Sequence, residues 1–235
     1  SNIHRSSHNL GFTATEKYEA SRNLIAQFIS AEKSSEIILT SGATESINLA
    51  ANSFGKKNLE KGNIILISEI EHHSNILPWQ RLAKESGAVI QKIPLQPDLT
   101  IDLDELKSLL NNSVKLLVLH HISNVTGTIQ DVKMAVESAQ KFNIPVFVDG
   151  AQAPAHIKVD VKNLNCDFYC FSGHKVFGPT GTGVLYVKEK YLINMQPYKM
   201  GGQMVSRASY SDPEWSEIPL KFEAGTPNIA GVIGL

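Results

Sequence analysis

Residues 114–149 read VKLLVLHHISNVTGTIQDVKMAVESAQKFNIPVFVD, and this stretch decides the fold. Residues 114–122 form a continuous apolar run typical of a buried strand, and residues 131–143 have the pattern of an amphipathic helix. Residues 144–149 form a second short apolar run that ends in an aspartate. A strand, a helix and a second strand in this order predict two parallel strands of one sheet joined by a helical crossover.

The same alternation of short apolar runs and amphipathic segments continues on both sides of this unit. The runs that predict strands are EIILT (36–40), NIILIS (63–68), AVIQKIPL (88–95), CDFYCFS (166–172) and GVLYVK (183–188). The segments that predict helices are ATESINLAANSF (43–54), NILPWQRLAKESG (75–87) and DLDELKSLL (102–110). A further helix is expected to start at a capping box, TATE (13–16), and to run through Ser30. This order predicts an α/β domain with a mostly parallel central sheet and helices on both faces.

The amino-acid composition excludes some classes of binding partner but does not indicate a function. Hydrophobic residues make up 42% of the 235 residues, and 22 Lys and Arg nearly balance 23 Asp and Glu, so the formal net charge is -1. This balance gives no electrostatic reason to expect nucleic acid binding. No apolar run approaches the ~18 residues of a membrane-spanning helix. We therefore expect neither a nucleic acid nor a membrane among the partners.

Two cysteines, Cys166 and Cys170, are too few for a disulfide framework and indicate a reducing, cytoplasmic compartment. Because they are four residues apart in a strand-like run, both are expected to face the same side of the sheet. The last run, NIAGVIGL (228–235), predicts a helix. It is apolar and ends without a cap, so we expect the domain to be cut there.

Five of the predicted strands are followed directly by polar residues. Ligands of open α/β sheets bind beyond the carboxyl ends of the strands, so these residues are expected to meet at one edge of the sheet. The five segments are Ser41–Thr44, Glu69–His73, Ser123–Gly127, Asp149–Gln152 and Ser172–Lys175. Together they predict a ligand site.

Several of these segments also have an interpretation without a ligand. Ser41–Thr44 either caps a helix or holds a phosphate at the N-terminus of that helix. His72 and His73 form a solvated pair or, less readily, bind a metal, since adjacent side chains diverge and no further cluster completes a zinc pattern. His120 and His121, inside a strand run, are interpreted as packing residues.

Asp149 and Lys175 carry the sharpest functional signal. A carboxylate at the end of a buried strand is costly unless it meets a cation, and Lys175 follows the next strand along the chain. The two residues either form a plain ion pair or hold opposite ends of one cofactor. A pyridoxal phosphate site needs a lysine for the Schiff base, an acid at the pyridine nitrogen, a phosphate cradle and an aromatic face, and the strand ends supply all four.

Assembled in this way, the chain resembles the class V aminotransferase group of fold type I pyridoxal phosphate (PLP) enzymes. Within that group it resembles the cysteine desulfurases of the SufS/CsdA kind (group II). The motifs that carry the resemblance are, in family order, HRSSHNLG, TSGATESINLAANSFG, EIEHHSNILPWQ, HISNVTGT, VDGAQA, CDFYCFSGHKVFGPTGTGVLYVK and FEAGTPNIAG. The resemblance implies a PLP-binding large domain over residues 1–235. The small C-terminal domain and the N-terminal segment of the family are missing, so the domain is expected to be truncated at both ends.

The resemblance assigns roles around the cofactor ring to four residues. Lys175 would form the Schiff base with PLP and, once released, take the α-proton of the substrate. Asp149 would pair with the pyridinium nitrogen and keep it protonated. Gln152 would hydrogen-bond the ring hydroxyl, and His73 would stack on the ring face and move protons.

The resemblance also assigns residues to the phosphate and to the substrate. Thr44, Ser172 and His174 would hold the phosphate, and Asn124 would help to hold the substrate carboxylate. Thr226 would reach the phosphate of the other subunit's cofactor, which implies a homodimer with shared sites.

The implied reaction removes sulfur from L-cysteine, leaves L-alanine and places the sulfur on an enzyme cysteine as a persulfide. The persulfide would pass to an acceptor protein of the SufE/SufU type for iron–sulfur cluster assembly. In the family, the nucleophilic cysteine and the arginine that binds the substrate carboxylate lie in the C-terminal domain. Cys166 and Cys170 do not match that nucleophile, so residues 1–235 alone are expected to be inactive.

Two other classes of function stay open at this point. One is a different PLP enzyme on the same scaffold, such as a selenocysteine lyase, a transaminase or a kynureninase-like hydrolase. The other is a noncatalytic fragment that only dimerises or binds a sulfur acceptor.

Overall fold

The structure is a computed structural model that describes residues 3–4 and 8–235. Its strands in chain order are β1 (Ile37–Thr40), β2 (Ile64–Ser68), β3 (Val89–Ile93), β4 (Val114–His120), β5 (Val146–Asp149), β6 (Phe168–Ser172), β7 (Gly183–Val187), β8 (Val205–Arg207) and β9 (Glu214–Trp215). The first seven form one sheet in the order β1-β7-β6-β5-β4-β2-β3, and β8 pairs with β9 in a separate hairpin.

The central sheet is parallel except for one strand. β7 runs antiparallel to both of its neighbours, β1 and β6, while β6, β5, β4, β2 and β3 pair in parallel. β1 therefore points in the same direction as β6. The carboxyl ends of β1, β2, β4, β5 and β6 all lie at one edge of the sheet, as the sequence predicts.

Helices connect the strands and cover the sheet. They are α1 (Asn9–Phe28), α2 (Ala43–Ala50), α3 (Lys56–Asn58), α4 (Leu77–Ser86), α5 (Leu103–Leu109), α6 (Val132–Gln140), α7 (Val161–Leu164), α8 (Glu189–Leu192) and α9 (Ile229–Gly234). A π-helical segment, Ala51–Gly55, joins α2 to α3. Short 3₁₀ turns at His73–Asn75 and Gly173–Val176 follow the ends of β2 and β6.

Two apolar layers form the core, one on each face of the sheet. Successive residues of β5 alternate between them: Val146 and Val148 pack in one layer with α1, α5 and α6, and Phe147 packs in the other with α2 and α4. This alternation is what a strand buried on both faces produces. The prediction of a mostly parallel sheet with helices on both faces is confirmed.

The predicted start of the first helix is wrong. α1 begins at Asn9, and its N-cap is His8, whose Nδ1 accepts the N–H of Gly11 at 3.1 Å. The hydroxyl of Thr15, inside the predicted capping box, instead donates to the carbonyl of Gly11 at 2.9 Å. The helix also ends at Phe28, before Ser30, which has a left-handed φ of 57°.

The prediction that both cysteines face one side is also wrong. β6 begins only at Phe168, so Cys166 lies in the loop before it and the strand alternation does not extend to it. Cys166 packs in the layer with α6 and α7, while Cys170 packs in the opposite layer. Both thiols are free and fully buried, as expected of core residues.

The C-terminal segment is tied to the first helix by a buried ion pair. Arg22, only 2% exposed, donates to Glu223 at 2.6 Å and to the carbonyl of Ile37 at 2.8 Å. Glu223 also accepts the N–H of Leu39 at 2.8 Å. The pair thus fixes the loop that leads to Thr226 against α1 and β1.

Residues 3–4 and 8–235 contain neither a candidate membrane-spanning helix nor a candidate metal cluster. No helix there combines the length and hydropathy needed to cross a membrane. No three His, Cys, Asp or Glu side chains in the same ranges lie close enough together to hold a metal ion.

Candidate active site

A cavity of about 300 Å³ opens at the sheet edge where the parallel strands end. This volume is at the lower end of the usual range for small-molecule sites. The cavity is lined by Ala43, Thr44, His72, Ser74, His120, Ile122, Asn124, Asp149, Ala151, Gln152, Ser172, His174 and Lys175. All five predicted strand-end segments contribute to this lining. The five strand ends thus meet at one edge of the sheet, as expected, and the ligand of this cavity stays a prediction.

Asp149 is the last residue of β5 and is buried at 5% exposure. Its Oδ1 accepts the N–H of Ala151 at 2.9 Å, and its second oxygen has no hydrogen-bond partner among the described residues. Burial raises the pKa of this carboxyl to about 6, and the N–H of Ala151 and the charge of Lys175 oppose that rise. A buried carboxylate with unused acceptor capacity facing a cavity is suited to bind a cation or a protonated nitrogen.

The backbone just after Asp149 packs closely against the ring of Tyr169, because the next residue, Gly150, has no side chain. A Cβ on Gly150 would lie 2.1 Å from the ring of Tyr169. That ring fills the space beneath the strand end, and its hydroxyl lies 2.9 Å from Nδ1 of His121. Gly150 therefore allows Asp149 to turn into the cavity directly above a packed tyrosine.

The opposite part of the cavity is built for an anion. The N-cap of α2 is Gly42, which provides no side-chain cap, so the interpretation of this segment as a capped helix end is wrong. The hydroxyl of Ser172 accepts the N–H of Ala43 at 2.8 Å and links the end of β6 to this helix. Thr44, next along the helix, lies 2.9 Å from the hydroxyl of Ser74. Free backbone donors and hydroxyl groups at a helix N-terminus favour a phosphate.

Lys175 and His174 lie on the 3₁₀ turn that follows β6. Lys175 is partly exposed and lines the cavity together with Asp149, and His174 is exposed at the rim. The turn ends at Phe177, a non-glycine residue with a left-handed φ of 65°. The chain then reaches β7 at Gly183.

The two adjacent histidines are arranged differently from the prediction. Both are exposed, with ring centroids 5.5 Å apart, and the lining of the cavity includes His72 and not His73. Partial burial, and then the charge of Lys175, lower the pKa of His72. The stacking role of His73 stays a prediction.

Asn124 and Gln152 both line the cavity, on the loops after β4 and β5. Thr226 does not: it lies in a second cavity of about 210 Å³, together with Lys199 and Glu45. A position outside the main cavity is compatible with a role toward a second subunit, and that role stays a prediction.

Sequence reasoning missed His120 and Glu71. His120 was interpreted as a packing residue, but it lines the cavity, and it shares a buried hydrogen-bond network with Glu71. The signal was present in the sequence as a carboxylate and a histidine at the ends of two apolar runs. His121, by contrast, is a packing residue as predicted, and burial lowers its pKa to about 4.

Comparison with protein families gives one match over the whole chain. The class V aminotransferase profile matches residues 1–235. A "Probable cysteine desulfurase" of Halalkalibacterium halodurans is 48% identical over 235 residues, which is all of this chain and 58% of that protein. A "Cysteine desulfurase" of Salmonella typhimurium is 47% identical over 99% of this chain and 58% of its own length. The chain thus spans somewhat more than half the length of the curated relatives it matches.

Solved structures give the same result. The cysteine desulfurase CsdA of Escherichia coli matches with a TM-score of 0.93 and 42% identity, over all of this chain and 59% of its own. The apo cysteine desulfurase of Thermococcus onnurineus matches with a TM-score of 0.95 and 40% identity, over all of this chain and 58% of its own.

Proposed function

The chain belongs to the class V aminotransferase family, and from that premise we propose that its parent protein is a cysteine desulfurase. Enzymes of this family depend on PLP, so the cavity at the strand ends is the cofactor site. The relatives that carry the name cysteine desulfurase share 47–48% of their aligned residues with this chain, and this identity supports the choice of reaction.

The residues of the cavity fit PLP at three points. Asp149 offers an oxygen that has no hydrogen-bond partner among the described residues, which suits the pyridinium nitrogen. Ser172, Thr44 and the N-terminus of α2, whose own N-cap residue provides no side-chain cap, suit the phosphate. Lys175 lines the same cavity and suits the aldehyde carbon. When bound, the cofactor supplies an electron sink for the substrate α-carbon.

The roles proposed for the chain's own groups are those that the family resemblance implies. Asp149 holds a proton at the ring nitrogen, and Gln152 donates to the ring hydroxyl. Lys175 would hold the cofactor through Nζ, and the same nitrogen, once free, would take the α-proton of the substrate. His73 covers the ring and moves protons, and Asn124 helps to orient the substrate carboxylate.

The sulfur leaves L-cysteine by attack of a thiolate on the substrate sulfur. The products are L-alanine and an enzyme persulfide, so that sulfur and protons balance without a further reactant. Neither cysteine of this chain is suited to the attack, because burial raises the pKa of both thiols and both side chains are at 0% exposure. We assign the nucleophile to a part of the parent protein outside residues 1–235.

Three finer points belong to the same proposal. The parent protein acts in the cytoplasm, passes its persulfide to an acceptor of the SufE/SufU type, and thereby serves iron–sulfur cluster assembly. It works as a homodimer, in which Thr226 reaches the phosphate site of the partner subunit. Residues 1–235 alone form a PLP-binding domain without turnover.

The observation that carries the proposal is that one cavity contains both Lys175 and the unpartnered oxygen of Asp149. Borohydride reduction of the holoenzyme, followed by peptide mapping, is expected to find the pyridoxyl group on Lys175. A Lys175→Arg variant is expected to lose it. Lys188→Arg is the matched control, because Lys188 pairs with Asp167 instead of lining the cavity. An adduct on Lys188 in the wild-type protein contradicts the assignment.

Product analysis tests the reaction itself. With L-cysteine, the parent protein is expected to form alanine and bound persulfide in equal amounts. Turnover of selenocysteine with little of cysteine identifies a selenocysteine lyase instead, and amino transfer to a keto acid identifies a transaminase.

Subunit mixing tests the shared site. Homodimers of the Thr226→Ala protein and homodimers of the Lys175→Ala protein are each expected to have low activity. In a mixed dimer one site carries both changes and the other carries none, so activity is expected to recover. No recovery after proven subunit exchange contradicts the role of Thr226.

A further inference from the structure

A buried polar network lies beneath the cavity, between the ends of β2 and β4. Its centre is Glu71, whose side chain is at 0% exposure, next to His120, whose side chain is at 5%. His120 is in register with Asp149 on the neighbouring strand β5. Side chains in register on adjacent parallel strands point to the same face of the sheet, so His120 and Asp149 lie side by side.

Glu71 accepts four hydrogen bonds. Its Oε1 accepts the backbone N–H of His120 at 2.8 Å, Nδ1–H of the same ring at 2.7 Å and the hydroxyl of Ser68, and its Oε2 accepts from Nδ2 of Asn75 at 2.7 Å. A carboxylate with its acceptor sites filled by donors is held in its ionised form. Glu71 is therefore a buried anion.

The protonation of His120 is fixed by Gln130. Oε1 of Gln130 accepts the N–H of Ile101 at 2.7 Å, and its Nε2 donates to the carbonyl of Leu99 at 3.1 Å. These two backbone groups determine the orientation of the amide, because a flipped amide would place donor against donor and acceptor against acceptor. Nε2 of Gln130 then donates to Nε2 of His120 at 3.2 Å, so this ring nitrogen carries no proton.

The network therefore carries a net negative charge. His120 has its one proton on Nδ1 and is neutral. It therefore donates a hydrogen bond to Glu71 without cancelling the negative charge of the Glu71 carboxylate. An ion pair between the two would need a proton on Nε2, where Gln130 already donates.

We propose that Gln130 keeps His120 neutral so that Glu71 acts as a second buried anion behind Asp149, which favours a cation in the cavity. Glu71, His120 and Gln130 are positioning residues that act through Asp149, and this proposal rests on the proposed function of the site. In a PLP enzyme, this negative charge would raise the proton affinity of the pair formed by Asp149 and the ring nitrogen.

The groups around Asp149 agree with this direction. Glu71 raises the pKa of Asp149 in addition to the larger effect of burial, while the N–H of Ala151, the charge of Lys175 and a charge on His120, if that ring is protonated, oppose it. Cys170, in register on β6, is a buried neutral thiol. His120 on β4 contributes no charge in the tautomer that Gln130 fixes. Glu71 is thus the one group facing Asp149 from the described elements that adds negative charge.

The first test uses ¹⁵N NMR of imidazole nitrogens in the full chain without cofactor or substrate. The expected result is a neutral His120 with the proton on Nδ1. Gln130→Glu retains an acceptor for Ile101 and places a carboxylate against Nε2, so it is expected to convert His120 to the doubly protonated ring. An imidazolium or an Nε2–H tautomer in the wild-type protein overturns the proposal.

The second test follows the carboxyl carbon of Asp149 by ¹³C NMR across pH in the same cofactor-free protein. Glu71→Gln removes the negative charge of the network beside Asp149. It is expected to lower the midpoint of Asp149 by about one pH unit, a size typical for one nearby buried charge.

Asn75→Ala is the matched control, because it removes a hydrogen bond from Glu71 and leaves the charge in place. It is expected to leave the Asp149 midpoint unchanged. A shift in Asn75→Ala equal to that in Glu71→Gln shows that the network only supports the turn that follows β2. An unchanged midpoint in Glu71→Gln, with native unfolding behaviour, also refutes the proposal. Neither NMR readout depends on desulfurase activity, so failure of the proposed reaction leaves them interpretable.

Discussion

The buried carboxylate of Asp149 should destabilise the folded protein whenever the cofactor is absent. Asp149→Asn should therefore raise the free energy of unfolding of the cofactor-free protein. Asp149 is 5% exposed, and within residues 3–4 and 8–235 its carboxyl receives a single hydrogen bond, from the N–H of Ala151. An asparagine has nearly the same shape and can keep that hydrogen bond through its Oδ1. The substitution removes the buried charge and little else.

The structure sets the size and the pH dependence of the effect. The pKa of Asp149 is about 6 in the folded protein, against an ordinary value of 3.8, and burial is the main cause. Between these values the folded state holds a proton that the unfolded state has lost, so stability falls as pH rises through this window and stays lower above it. At 1.36 kcal/mol for each pH unit, the full difference is about 3 kcal/mol. The same linkage gives about 1 kcal/mol near pH 4.5 and about 3 kcal/mol near pH 8.

The assay is urea unfolding of the cofactor-free full chain at these two pH values. Asp149→Asn is expected to be more stable than wild type, with a gain that grows by about 2 kcal/mol from the lower to the higher pH. Asp167→Asn is the matched control. Asp167 is also buried, but it pairs with Lys188 and Lys190 at 3.2 Å, so its loss is expected to destabilise the protein. A gain for Asp149→Asn that does not change with pH would falsify the view that this carboxylate is unsatisfied.

Two further predictions follow from close packing and from a buried ion pair. Gly150→Ala would bring a Cβ to 2.1 Å from the ring of Tyr169. Overpacking of this kind is expected to lower the free energy of unfolding by about 1–3 kcal/mol and to weaken cofactor binding. Thermal unfolding and the absorbance of the bound cofactor measure the two effects. Arg22→Met leaves Glu223 buried without its cation and is expected to cost about 3–5 kcal/mol in urea unfolding. Arg81→Met, which removes an exposed helix pair, is expected to leave the urea midpoint nearly unchanged, and equal losses for the two arginines contradict the prediction.

Much of the site could be predicted because parallel strands end at one edge. Thr44, Asp149, Ser172 and Lys175 are far apart in the sequence, but each follows a run whose pattern identifies a strand. Once the strands are known to be parallel, their ends must meet. This argument needs only local patterns and one rule of topology, and the structure brings all four residues to the same cavity.

What could not be predicted depends on contacts between distant segments. The hydrogen bond between Glu71 and His120 joins residues 49 positions apart, and the proton on His120 depends in turn on Gln130 and on the loop that carries Leu99. No local pattern encodes that chain of partners. The start of α1 was missed for a related reason: His8 is a rare N-cap, and cap preferences alone favoured a threonine.

Three buried carboxylates of the structure show why the site lies where it does. Asp167 has two lysines and the N–H of Val146, and Glu71 has four donors, so the folded chain satisfies both. Asp149 has one donor and an oxygen without a partner in the described residues. Burying such a group is favourable only if something outside the chain supplies the missing donor. Of these three carboxylates, Asp149 is therefore the one whose contacts favour a ligand that brings a protonated or cationic group.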